Sequence, residues 1–324
     1  MDKLLIFREW ILRFFTSNGR IIRLFARFFG GILLFYVTGQ IYGYNDILSQ
    51  AAAIVILGFV CMFLPISIIF LIYQVTIAVY LAGISAEIGV LYLVLIGMYY
   101  LLYQRLFIKT EILFLMTPVF FYFHLPAALP IFVGTFVGLN GLPAILMGTI
   151  VYYSAGTLQE AFTRAADFAD GGRAGHLVLN ETAGNKELLL CLAAFILVTA
   201  IVAGIRRTWI AYGWYIAIFA GGGIYMFIML VGGYFTNNRI NILLELLMII
   251  ISMLIAAIGQ FLSGVIDYTR EERFEFEDEE YYYYVKAIPK VSMAEEENIK
   301  KVIVPARRFH LSRKAKHDDK GEES

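Results

Sequence analysis

Charge is what this sequence has least of. Only 16% of its 324 residues are Asp, Glu, Lys or Arg, while 60% are hydrophobic and the mean hydropathy is +0.73; soluble domains carry about 25% charge. A soluble enzyme is therefore excluded. The 26 basic residues are matched by 26 acidic ones, so no basic excess exists to hold nucleic acid. Cysteine is nearly missing: Cys61 and Cys191 both sit inside apolar runs, which argues against a disulfide framework or a metal scaffold. The chain also lacks GxxxxGK[ST], HExxH and GxSxG. That removes P-loop nucleotide hydrolysis, zinc proteolysis and the nucleophile elbow. No catalytic residue, cofactor or metal is expected, and an ABC-type role would need a separate ATPase subunit. Proline is scarce but concentrated: Pro118, Pro126, Pro130 and Pro143, four of the seven, fall in one apolar stretch at 112–154.

What the chain has is long apolar runs. A span needs about 20 apolar residues to cross roughly 30 Å of hydrocarbon. Runs that read as spans occupy 28–44, 47–64, 66–84, 88–103, 188–204, 210–231 and 240–266. The expected fold is all-α and polytopic. The stretch 112–155 cannot be one uninterrupted helix, because an interior proline removes a donor and clashes with the preceding turn.

Basic residues set the orientation, since cytoplasmic loops carry the excess. Six precede Phe28, Arg105 and Lys109 mark one turn, Arg206 and Arg207 another, and twelve follow Ile266. The connections at 45–46 and 85–86 have none. Both termini are then cytoplasmic, with 47–84 as two spans hinged at Pro65. The stretch 112–156 must contain an odd number of crossings: one plus a re-entrant hairpin gives eight spans, and three short crossings give ten. The loop 156–187 falls outside, its first part, 157–170, reading as a helix. Asn180 to Thr182 forms a glycosylation sequon of no weight beyond consistency. Charges at Arg8, Glu9 and Arg13 leave no room for the apolar core of a cleavable signal peptide.

The ends have their own chemistry. Residues 1–20 read as an interfacial helix: Leu4, Phe7, Ile11 and Phe14 share one stripe, with Glu9 and Arg13 opposite. Arg20, Arg23 and Arg27 form one basic line that can meet lipid headgroups or simply mark the inner side. The tail, 267–324, alternates aromatic and acidic residues before four tyrosines. A short hairpin, 273–277 against 281–288, is expected there. Phe274, Phe276, Tyr281, Tyr282, Tyr283 and Tyr284 are candidates for docking a cytoplasmic or membrane protein partner, the alternative being a disordered acidic spacer. Beyond Pro305 the chain is basic and reads as solvated tail.

Two places in the membrane part carry candidate chemistry. Discontinuous helices expose backbone groups that hold substrate or ions. Thr117, Pro118, His124, Pro126, Pro130, Thr135, Asn140 and Pro143 would form such a wall, with His124 able to carry a proton near neutral pH. The bland alternative is that GTFVG at 134–138 packs closely and the prolines only shape the bundle. Glu245 is an acid inside a span, where carboxylates are expensive and face a partner or a cavity. Asn241, four residues earlier, could bond it. Gln74 and Gln260 read as interhelical hydrogen bonds.

The run at 267–290, DYTREERFEFEDEEYYYYVKAIPK, and the proline-rich stretch at 117–153 resemble uncharacterised multi-pass membrane proteins of clostridial-type bacteria. The resemblance implies a bacterial cytoplasmic membrane and no activity. Two readings of function follow from the residues. One is a transporter or permease component for a small solute or ion, with 112–155 and Glu245 forming the path. The other is a non-catalytic membrane anchor or assembly factor that recruits partners through its tail.

Overall fold

The structure, a computed structural model, describes residues 2–42, 46–83, 86–107, 110–163, 182–208, 212–236, 241–263, 272–277 and 282–287. In chain order the helices are α1 (Asp2–Ser17), α2 (Gly19–Tyr42), α3 (Asp46–Ser49), α4 (Ala51–Phe63), α5 (Ile66–Ala82), α6 (Ala86–Tyr99), α7 (Glu111–Tyr122), α8 (Ala128–Phe132), α9 (Leu142–Thr163), α10 (Lys186–Arg207), α11 (Gly213–Thr236) and α12 (Ile242–Ser263). A π-helical turn, Tyr100–Gln104, prolongs α6, and another, Val133–Val137, prolongs α8. By length and composition α2, α10, α11 and α12 can each cross a membrane, which makes the chain an all-α, membrane-compatible protein.

Local sequence explains the boundaries. Pro65 has no N–H to give to α4 and takes the N-cap position of α5, so 47–84 divides there. Pro143 is tolerated in the first turn of α9, where the amide would be unpaired in any case. Two boundaries differ from the sequence reading. Nothing between Gly19 and Phe28 breaks a helix, so Arg20, Arg23 and Arg27 lie on the first turns of α2 itself instead of ahead of it. Likewise α9 runs on to Thr163, taking in residues assigned to the outer loop. The rest of that loop, 164–181, with the sequon's Asn180 and Glu181, lies outside the described residues, as do the turn 278–281, the tail beyond 287 and the basic run after Pro305.

Pairwise packing gives each helix a direction. Gly31 faces Cys61 and Gly39 faces Ser49, so α4 returns beside α2. Phe35 meets Tyr73 and Tyr42 meets Tyr80, so α5 runs parallel to α2. The Tyr92 hydroxyl donates to Gln74 Oε1 and Phe70 stacks on Tyr100, so α6 returns. This is the interhelical bond expected of Gln74, whereas Gln260 accepts locally from Ser263 Oγ at 3.4 Å. In the second half, Gly232 faces Leu190 and Gly221 faces Val198, so α11 is antiparallel to α10; Gly222 against Met253 seats α12 beside it. The starts of α2, α5, α7, α9 and α11 therefore share one end of the bundle, which also holds Arg105, Arg206 and Arg207 and is called the basic end below.

Helix α1 lies at that end. Arg8, buried despite its charge, donates from Nε to the Phe261 carbonyl in the last turn of α12 at 2.9 Å, and pairs with Glu9 at 3.7 Å. The last carbonyls of a helix have no internal donor, and a guanidinium there also opposes the negative end of the dipole. The Phe7, Trp10 and Phe14 rings stack along the outer side of α1, Trp10 63% exposed. A hydrogen bond from a charged donor is worth about 1.5–3 kcal/mol. Arg8→Ala should therefore speed amide exchange in α1 by about tenfold or more while α10 is unchanged, which exchange mass spectrometry reads directly.

After α12 the chain forms a two-stranded antiparallel hairpin, β1 (Glu272–Glu277) and β2 (Tyr282–Ala287), with Phe274 opposite Val285 and Phe276 opposite Tyr283.

Candidate functional site

The stretch 111–163 folds into three antiparallel segments. Helix α7, with Pro118 inside it, ends at Tyr122; His124 then takes a left-handed φ of 57° and the chain reverses through Pro126 into α8. A second reversal follows at Gly138, φ 81°, and a 3-10 turn, Leu139–Gly141, leads into α9. Gly141 lies against Leu113, Gly148 against Thr117, and Tyr152 stacks on Phe121 at 4.5 Å between ring centres, so α9 runs parallel to α7. Between them α8 and its π-turn descend toward the basic end. At 1.5 Å per residue the two arms of this hairpin are only about 18 and 15 Å long.

The hairpin is built into the bundle. Gly134 touches α10 at Val202 and the Thr199 carbonyl, and the Thr199 hydroxyl reaches the Pro130 carbonyl at 3.5 Å. Phe132 and Phe136 face Gly259 of α12. Thr117 and Thr135 are buried and bond back to the Leu113 and Ile131 carbonyls at 2.9 and 2.6 Å. They are satisfied within their own helices and offer nothing to a ligand in this state. Pro118 and Pro130 are buried with them.

Polar groups gather at the two ends of the hairpin. At the basic end the Tyr103 hydroxyl donates to the Asn140 carbonyl. Nearby, Glu111 is 2% exposed and accepts from Ser67 Oγ at 2.7 Å. Tyr99 donates to Gln104 Oε1 at 3.0 Å, and Gln104 Nε2 reaches Thr110 Oγ1 at 3.3 Å around the π-turn of α6. Asn140 is thus remote from His124, and the expected continuous wall divides in two.

At the far end the turn after α7 brings His124 within electrostatic reach of Glu245 in the first turn of α12. Tyr153 of α9, Cys191 of α10 and Tyr225 of α11 lie within reach of the same carboxylate, and Glu187 acts on Tyr153. Tyr225 is fully buried, and its hydroxyl has no hydrogen-bond partner. Such an orphan costs about 1–3 kcal/mol. Cys191 is a free, buried thiol. The Asn241 side chain does not bond the Glu245 carboxylate, although the Asn241 backbone carbonyl accepts from the Glu245 amide at 3.0 Å. Its Oδ1 accepts from the Leu244 amide at 3.5 Å, because a helix begins there and its first amides lack partners.

Among the remaining candidates, Arg20 and Arg23 are exposed and Arg27 half-buried on α2. Tyr282 and Tyr284 are 71% and 75% exposed on β2, and Tyr283 is exposed beside them. The backbone of Phe274 and Phe276 lies in β1; Tyr281 is outside the described residues. A cavity of about 100 Å³ between α5, α6 and α9, lined by Leu81, Ile88, Tyr92, Ile96, Met147 and Val151, is nearly all carbon and adds no ionisable group besides the phenol of Tyr92.

Sequence reasoning missed Glu111, because it precedes the apolar run at 112 by one residue and so counts as loop. It also missed Tyr153 and Tyr225; the signal available was that a phenol inside an apolar span needs a partner. No family model matches the chain, and no curated protein or solved structure compared with it matches either.

Proposed function

We propose that this chain is the membrane part of a transport system for a small solute or ion. In this reading it crosses a bacterial cytoplasmic membrane eight times, through α2, α3 together with α4 (46–63), α5, α6 with its π-turn, α9, α10, α11 and α12, with the α7–α8 hairpin as a re-entrant segment and both termini cytoplasmic. The alternating helix directions and the basic residues at one end support the topology. One observation carries the function: a hairpin too short to span roughly 30 Å is set among α9, α10 and α12, and its tip holds His124 at the end of the bundle where Glu245 begins α12, within electrostatic reach of it. Broken backbone at membrane depth is tolerated where it is walled by protein or lines a cavity. A carboxylate in a span is usually part of a path.

Flux into proteoliposomes tests it. Glu245→Gln and His124→Ala should each reduce uptake or counterflow of the transported species to the protein-free background, with unchanged insertion and elution from gel filtration. Wild-type flux in both variants would overturn the reading.

The exposed tyrosines of β2 favour a second reading, an anchor that recruits a protein partner through the tail. A two-stranded hairpin alone is marginal in water and gains from a partner that covers it. Deleting 268–324 would then remove partner capture while Glu245→Gln leaves it intact.

A further inference from the structure

We infer that the ion bound at the far end of the bundle is the proton, exchanged between Glu245 and His124 at the mouth and the phenol of Tyr225 behind them. The inference rests on the transport reading and names its coupling ion. Tyr225 follows Gly222 by three residues on α11 and Glu245 precedes Ile249 by four on α12, so the contact of Gly222 with Ile249 puts the phenol and the carboxylate at one level of the seam between these helices, where His124, Tyr153 and Cys191 also interact electrostatically. Every one of them is a Brønsted acid or base. A transition-metal cation is disfavoured, because among the described residues no group of three His, Cys, Asp or Glu side chains could hold one. A solute has little room beside Tyr225, whose ring is 0% exposed. Its flank is tight as well: a Cβ on Gly222, one turn before it, would run into Met253. A proton needs no cavity, only a donor and an acceptor, and the Tyr225 hydroxyl is both, with neither capacity used.

Access is graded in the way a relay requires. His124 is exposed at the hairpin tip, Glu245 is half-buried, and Tyr225 is sealed. The neighbouring elements contribute Tyr152 and Tyr153 from α9 and Lys186 and Glu187, both exposed, from the first turn of α10; α8 contributes no ionisable side chain. Arg239 and Lys109 fall outside the described residues.

Infrared spectra of the full chain in lipid nanodiscs test proton binding without needing a substrate. A protonated-carboxyl band that grows on acidification is expected, and Glu245→Gln should remove it. His124→Ala should displace its midpoint, since the two side chains interact electrostatically. In proteoliposomes with a pH-sensitive dye inside, Tyr225→Phe should lower proton flux by about tenfold or more, the smaller part of what a positioned acid–base group contributes. The inference is overturned if Glu245→Gln keeps the band, or if solute uptake is saturable yet unaffected by a pH gradient. A titrating Glu245 in a protein that moves nothing would instead defeat the transport reading and leave the proton site standing. Wild-type proton flux in Tyr225→Phe would exclude the phenol.

Discussion

Gly134→Leu should abolish the native packing of the hairpin. A Cβ at that position would sit 2.7 Å from Val202 Cβ and 3.1 Å from the Thr199 carbonyl oxygen, and neither is the far end of a flexible side chain. Relief requires α8 and α10 to separate. Separation would also pull Pro130 from the Thr199 hydroxyl and disturb the seat of Phe136 on α12. Overpacking a formed core costs about 1–3 kcal/mol, and a contact with backbone lies at or beyond the upper end. The protein should lose its monodisperse gel-filtration peak, or unfold at clearly lower temperature in detergent. Gly223→Leu is the control, because nothing lies within 4 Å of a Cβ there. A Gly134→Leu protein as stable as Gly223→Leu would refute the seat of α8 described above.

Gly58→Leu should open the seam between α2 and α4. There a Cβ meets the Ile32 side chain and comes within 3.3 Å of both the Ile32 amide nitrogen and the Phe28 carbonyl. Gly31 is the reciprocal contact, at 2.9 Å from Cys61 Cβ, so the helices meet glycine to side chain in both directions and cannot slip to make room. Cys61 reports the outcome. Its thiol is buried in the folded protein, and burial pre-empts alkylation by a membrane-permeant maleimide. Labelling of Cys61 should rise by about tenfold or more in Gly58→Leu and stay low in Gly30→Leu, whose position is open. Equal labelling in the two variants would mean that α2 and α4 are not held together at this contact.

The sequence was legible where a single residue forces a local event. Pro65 divides α4 from α5, and the cluster from Pro118 to Pro143 marks the place where helices shorten and turn. Glu245 and His124 could be named because a carboxylate or an imidazole in an apolar run is conspicuous. Their proximity could not, since it depends on a reversal at 123–127 and on α12 lying beside α8, and neither leaves a periodic trace. Asn241 shows the opposite error. Spacing of four residues on one helix face allowed a bond to Glu245, but an asparagine at a helix start finds a free amide closer. The arginine line at 20, 23 and 27 reads as lying ahead of the span, whereas α2 begins at Gly19, because hydropathy falls with each arginine while backbone geometry does not. The two π-turns were invisible: each shifts one hydrogen-bond register without requiring any particular residue.

Under the re-entrant topology proposed above, the hairpin also implies an order of events during synthesis. Its walls include α10 and α12, which are made after it, so a ribosome-bound chain ending near 163 carries α7 and α8 with one side unoccupied. Neither arm is long enough to be released into lipid as a span, and Pro118 leaves the Phe114 carbonyl without its usual helical donor. The segment must wait in a protected place until α12 is complete. In the proposed topology, assembly is completed only by the C-terminal half, and damage to α10 or α12 should appear first as degradation of a chain whose N-terminal helices are already inserted.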